Sequence, residues 1–355
     1  MLTTIVAFLV AIGILVVIHE LGHYWVGRWC GVKALRFSVG FGKVLLRRTD
    51  RHGTEWALSA IPLGGYVKFL DGRDDALPPA EAHRAFDRQS VWRRIAIVAA
   101  GPLANLLLAS LLYAVLFTMG VREPEPGQGP PLPRVQSVLE HSPAAEAGLR
   151  ADDVILRAGG LYDPDPGAFV DLIGRSADHA VPLLVLRDGG EFPLSVTPRA
   201  ADAGSPGRIG VGLGVNLRFV EVRYGPLESL WRGMERTGEM VSLTVRMFGR
   251  LLIGEASWSQ VSGPVTIADY AGQTARIGLE AYIAFLAVVS VSIGVLNLLP
   301  IPMLDGGHLL YYLVEIVRGS PPPDRWFDIG QRVGLSLLLA LMGVALFNDF
   351  VRLLG

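Results

Sequence analysis

His19-Glu20-Leu21-Gly22-His23 closes an apolar run that begins at Leu2, and the way these two features coincide decides how the rest of the chain is read. On a helix the two histidines stand one turn apart on one face, so both imidazoles can reach a single metal ion. Glu20, beside the first of them, is placed to take a proton from an attacking water, as in zinc-dependent peptide hydrolysis. The preceding run is long enough to cross a bilayer, which needs about 20 apolar residues. It carries no basic residue before Arg28 and no small-residue cleavage pattern. It therefore reads as a retained first span rather than a cleaved signal peptide.

Composition agrees with a membrane chain. Of 355 residues, 51% are hydrophobic and 18% charged, with a mean hydropathy of +0.41; soluble domains carry about 25% charged residues. The net charge of −1 gives no sign of nucleic acid as a partner, and no basic stripe interleaved with aromatics appears. Cys30 is the single cysteine, which excludes an intramolecular disulfide and a cysteine-based zinc site.

Three further stretches are apolar enough to span: Ile95 to Gly120, Ala281 to Leu299 and Val333 to Phe347. The chain then divides into a first transmembrane helix (1–30), a cytoplasmic or membrane-associated β region (31–92) and a second transmembrane helix (93–120). A linker and small domain (121–224) follow, then an amphipathic helix and loop (225–280), a third transmembrane helix (281–305), and a loop with a fourth (306–355). Basic residues crowd the segments between spans one and two and between spans three and four, which makes both cytoplasmic. Both termini and the long segment after the second span are then external.

In that external segment, Glu123 to Pro133 is rich in Pro and Gly and reads as a linker. Leu183 to Gly190 carries a hairpin signal. Ser142 to Leu156 resembles the short helix and "GLRxGD" turn of a PDZ domain, with Asp152 standing where that pattern has Gly. PDZ domains bind extended peptides by adding them to a sheet edge. There is room for one such domain. From Leu230 to Ile253, apolar residues recur at helical spacing with arginines largely on the other face. This suits either a helix on the membrane surface or one packed against the PDZ domain.

A catalytic zinc takes three protein ligands and keeps one open position. The candidate third ligand is Asp305, in Asn297-Leu298-Leu299-Pro300-Ile301-Pro302-Met303-Leu304-Asp305-Gly306-Gly307, where the third span breaks. An ionisable group at membrane depth is costly and marks function by default. His308 reads as a structural histidine, His52, His83, His141 and His179 as solvated, and Asp152 and Asp153 as turn residues.

HELGH, the NLLPIPMLDGG segment and a PDZ between them resemble the site-2 protease family of intramembrane zinc metalloproteases, of the bacterial sigma-E-regulating type. Pro62 to Phe69, Ser262 to Val265 and Ala345 to Phe350 extend the resemblance over most of the chain. It implies a polytopic α-helical membrane protein: four transmembrane helices, a membrane-associated β-hairpin region and an inserted extracytoplasmic PDZ domain (α+β). It implies one Zn2+ per chain on His19, His23 and Asp305, with Glu20 as the base. It implies that Asn297 holds the substrate backbone, and that Gly64, Gly65 and Tyr66 belong to a β-structure that binds substrate. The implied substrate is a single-span membrane protein, a trimmed anti-sigma factor, with signal-peptide remnants as a second class. An extracytoplasmic peptide or new C-terminus would bind the PDZ. The setting is the lipid bilayer of a bacterial inner membrane, with the active site towards the cytoplasm. A PDZ scaffold with a non-catalytic zinc site is the alternative. A transporter is disfavoured because the two halves show no repeat symmetry.

Overall fold

The computed structural model describes residues 1–73, 79–125, 128–200, 202, 205–255 and 262–354. They form two compact units, Met1–Gly120 with Arg223–Gly355, and Val121–Val222.

The first unit is built on α1 (Leu2–Trp29), α2 (Val91–Met119) and α7 (Leu279–Leu298). All three are long and apolar enough to cross a membrane, as is Arg325–Arg352 within α9 (Asp324–Leu354). Ala11 and Leu15 of α1 pack with Leu286 of α7, and Ala109 and Tyr113 of α2 with Ala287, Val291 and Val295. The outward residues Ile5, Val6, Val10 and Ile14 remain exposed, which suits a lipid surround. Helix α2 starts four residues before Ile95, where Ser90 Oγ accepts the Arg93 N–H as an N-cap.

Helix α5 (Pro226–Leu252) fills the first part of the segment expected to hold an amphipathic helix. It runs antiparallel along α2, with Tyr224 N–H on Phe117 O near its start and Thr237 bonded to Ser110 at 3.0 Å further on. Gly233 permits the approach, since a Cβ there would meet Ser110 O and Ala114. The rest of the expected loop holds α6 (Pro264–Ile277). Asp349 of α9 caps it, accepting from the N–H of Gly263 (3.0 Å), Val265 (2.8 Å) and Thr266 (3.3 Å). The loop expected after the third span is likewise helical, forming α8 (Asp305–Arg318).

Strands β1 (Ala34–Thr49) and β2 (Glu55–Phe69) are long and bent, with Gly40 and Gly64 at positive φ. Residues 34–39 therefore pair on both sides: Phe37 faces Trp56 on one and Val67 on the other. The result is an antiparallel sheet in which 65–69 is an outer strand.

In the second unit, β3 (Val121–Pro124) pairs with β10 (Phe219–Val222), so the expected linker begins as strand. A second sheet runs in the order β8-β7-β5-β4-β9, from β4 (Pro133–Val138), β5 (Val154–Ala158), β7 (Val181–Arg187), β8 (Gly190–Val196) and β9 (Val211–Val215), with the short β6 (Leu161–Tyr162) paired to β5. Helices α3 (Pro143–Glu146) and α4 (Pro166–Arg175) complete a core of Val135, Ile155, Phe169, Ile173, Val185 and Val196. Asp188 and Gly189, both at positive φ, turn β7 into β8 as the sequence signals. Asp152 also sits at φ 71°, a left-handed position that glycine occupies freely and aspartate tolerates.

Asp153 is no mere turn residue. Its carboxylate, with no exposed surface, accepts two 2.7 Å bonds from Arg187 and one from the Arg150 N–H. Burial opposes ionisation, but these donors outweigh it and hold the Asp153 pKa below its ordinary value. The stabilisation is therefore full above about pH 4 and is lost as pH falls through the lowered folded value. Asp153→Asn should destabilise this unit by about 3 kcal/mol. Hydrogen exchange of 133–215 in the full chain would show earlier opening at pH 7, and a difference from wild type that shrinks in strong acid.

Candidate metal centre

His19 and His23 project from α1 towards α2, and Asp305 enters from the first turn of α8. Leu299 to Leu304 breaks the path between α7 and α8, with Pro300 and Pro302 in the break and Met303 at φ 81°. Gly306 and Gly307 then pack against the carbonyls of Leu298, Leu299 and Ile301, where any side chain would collide. That close turn sets Asp305 at the start of α8, where a carboxylate is favoured by the helix dipole. A salt bridge of 2.5 Å between Arg94 of α2 and Glu315 ties α8 to α2, and the Arg94 guanidinium lies 4.9 Å over the Tyr312 ring.

Asp305 Oδ2 lies 3.1 Å from His19 Nε2 and 3.5 Å from His23 Nε2, and the two Nε2 atoms are 3.2 Å apart. The three ligand atoms all fall within 4.8 Å of one another. Oδ2 is buried and accepts no hydrogen bond of acceptable geometry, a costly state for a carboxylate oxygen. A cation among these three atoms would resolve it, and two imidazoles with one carboxylate is a donor set suited to zinc. The residues present fit the metal.

The histidines are fixed by α2. His23 Nδ1 lies 2.8 Å from Ile97 O, so an Nδ1–H donates there and the Nε2 lone pair faces the cluster. Pro102 lies in the same stretch of α2 and offers no N–H to the Val98 carbonyl. Asn105, fully buried, sets its amide 3.4 Å from His19 Nδ1. From sequence alone Asn105 passes as a tolerated polar residue in a span; its spacing of four from Gly101 and eight from Ile97 was the available signal.

A cavity of about 290 Å³ opens beside the cluster, lined by His19, Glu20, His23, Tyr66, Asn297 and Asp305. His308 and Tyr312 of α8 also line it, so His308 faces the site. Burial pushes the Tyr312 phenol up to about 12, which keeps it a neutral donor. Val67 of the outer strand lines the cavity beside Glu20. Gly65 has no room for a side chain: a Cβ would come within 2.8 Å of Ser38 O and 3.4 Å of Glu20 Cγ. Gly64 sits at φ 139°, where a Cβ would collide with the Phe41 ring. Tyr66 stacks on Phe41 and accepts a 3.3 Å bond from Arg36.

Four membrane-length helices, with two histidines, a carboxylate and an adjacent glutamate gathered among them, define a membrane zinc metalloendopeptidase. Residues 7–341 match Peptidase family M50, and the chain belongs to that family, the site-2 proteases. It is similar to a Ralstonia nicotianae protein named as a zinc metalloprotease, 37% identical over 99% of this chain and 98% of that protein. It is also similar to the regulator of sigma-E protease RseP of Escherichia coli, 33% identical over 98% of each chain. Among solved structures, the PDZ domain of an SdrC-like protein from Listeria monocytogenes covers 24% of this chain and 90% of its own, at 23% identity and a TM-score of 0.22.

Gly101 of α2 lies where the two imidazoles pass, and a Cβ there would collide with Nε2 of His23 and crowd Nε2 of His19. Gly101→Ala should weaken zinc binding about tenfold or more, measured by competition with a chelator. An affinity equal to that of wild type would mean that the histidines do not approach α2 in this way.

Proposed function

We propose that this zinc metallopeptidase cleaves single-span membrane proteins within or near their spans, using zinc held one per chain by His19, His23 and Asp305. The observation that carries the proposal is the meeting of these residues with Glu20 and the outer strand 65–69 around one cavity beside membrane-length helices. Bound there, zinc would supply Lewis acidity, polarising a carbonyl and making water more acidic. Glu20 takes the proton of the attacking water and returns it to the leaving amine. Asn297, at the end of α7, offers an amide to the substrate backbone.

A helical substrate satisfies its own backbone hydrogen bonds and must be unwound before hydrolysis. Strand 65–69, with Tyr66 and the close-packed Gly65, would hold the unwound segment extended by strand addition. Leu45, Leu46, Leu58 and Ile61 leave the far end of this sheet apolar and exposed, which supports its insertion at the membrane edge.

By analogy with the relatives named for sigma-E regulation, the substrate is an anti-sigma factor already trimmed outside the membrane, with signal-peptide remnants as a second class. The protein then resides in a bacterial inner membrane, with both termini and the Val121–Val222 unit extracytoplasmic and the active site towards the cytoplasm. We read that unit as a single PDZ domain that excludes bulky substrates or receives a newly made C-terminus. The match to the Ralstonia relative runs over 455 positions against 355 residues here, so about 100 of its positions have no counterpart in this chain. That is the length of one such unit, consistent with one PDZ domain in place of two.

Cleavage of a model single-span substrate by the reconstituted protein tests the proposal. Glu20→Gln should lower the rate by about 100-fold or more while zinc content stays at one per chain. Asp305→Ala should lose the zinc itself. Undiminished cleavage by Glu20→Gln would remove the base, and unchanged zinc in Asp305→Ala would remove the third ligand.

A further inference from the structure

Ile97, Gly101 and Asn105 recur every four residues along α2 and so form one stripe facing the two histidines. Two of the three have evident roles there: the Ile97 carbonyl receives the His23 Nδ1–H, and Gly101 gives the imidazoles clearance. The third contact is oddly matched. Asn105 presents Nδ2, a donor, to His19 Nδ1, while its Oδ1 is buried and bonded to nothing. The residue is held firmly, with no exposed surface and with its backbone carbonyl accepting a 2.8 Å bond from Ser290 Oγ of α7.

His19 Nε2 faces Asp305, and it can serve a cation only if the imidazole proton sits on Nδ1. That Nδ1–H then requires an acceptor, which Nδ2 is not. A half-turn of the planar amide exchanges its two ends within nearly the same volume and brings Oδ1 to Nδ1. We infer that Asn105 is a positioning residue for the metal centre: its amide oxygen accepts the His19 Nδ1–H, as the Ile97 carbonyl accepts that of His23, and so keeps the Nε2 lone pair turned to the metal. Both ligands on α1 are thereby oriented by acceptors from a single helix. Ser290 adds a link from α7, the helix that also carries Asn297, to the same point.

The inference rests on the proposed zinc site, and one set of measurements separates the two. Zinc affinity is measured on the full-length protein in detergent by chelator competition, for wild type, Asn105→Leu and Asn105→Asp, beside the thermal unfolding of each after chelation. Asn105→Leu keeps the volume and removes the acceptor, and it should bind zinc about 10–100-fold more weakly. Asn105→Asp can only accept, and it should bind within about threefold of wild type or more tightly. Equal zinc affinity in wild type and Asn105→Leu would overturn the inference and leave the zinc site standing. Equal losses in Asn105→Leu and Asn105→Asp would also overturn it, since a merely structural residue gives that pattern. Should Asn105→Leu fail to fold, the Asn105→Asp affinity alone decides, a loss beyond tenfold in a folded protein contradicting the role. A wild type that binds no zinc would overturn the zinc site, and this inference with it.

Discussion

Asp305 Oδ2, buried between two imidazole nitrogens at 3.1 and 3.5 Å, is the contact on which the rest of the first unit depends. Three electron-rich atoms so close together in an apolar surround are costly without a cation, and the fold is organised to hold them there. Helix α1 brings the histidines, and a glycine in α2 admits them. A broken path through Pro300, Pro302 and Met303 delivers Asp305 at a helix start, where its charge is favoured. The Arg94–Glu315 bridge then ties α8 to α2, so that all three side chains refer to one helix.

This arrangement separates holding from chemistry. Helix α2 supplies no ligand to the cluster, yet Ile97, Gly101 and Asn105 govern how the α1 histidines stand. Glu20, between them in sequence, lies beside strand 65–69, close to Gly65 and lining the same cavity as Tyr66 and Val67. In the proposed mechanism, metal and substrate strand thus approach the same turn of α1 from different sides. The Val121–Val222 unit has a core of its own, anchored by the buried Asp153–Arg187 pair, and needs nothing from the helices to explain its packing. The helical unit has its own buried clusters, and the match to the Ralstonia relative runs about 100 positions beyond the length of this chain.

Much of this was legible from local pattern. HELGH at the end of an apolar run and Asp305 after a Pro-rich break are strong signals because spacing and hydropathy suffice to place them. Four apolar stretches became four membrane-length helices for the same reason, and Asp188-Gly189 became a hairpin turn because few residues accept its backbone angles. What escaped depended on partners distant in sequence. Nothing within α5 says that Gly233 and Thr237 will meet Ser110 of α2. Nothing near Asp349 says that it caps α6, 86 residues before it. The segment after Asp305 lies between two spans, and nothing local shows that Glu315 pairs with Arg94 of α2 as the segment folds into a helix. Nothing in the sequence pairs Asn105 with His19, since one sequence shows no contact between separate helices.

The proposed chemistry needs one zinc ion among His19, His23 and Asp305. X-ray absorption at the zinc edge of the purified full-length protein reads that shell. Two imidazole nitrogens and additional oxygen donors are expected at about 2.0–2.2 Å, with no sulfur in the shell. A sulfur neighbour at about 2.3 Å, or a shell of imidazoles alone, would contradict it.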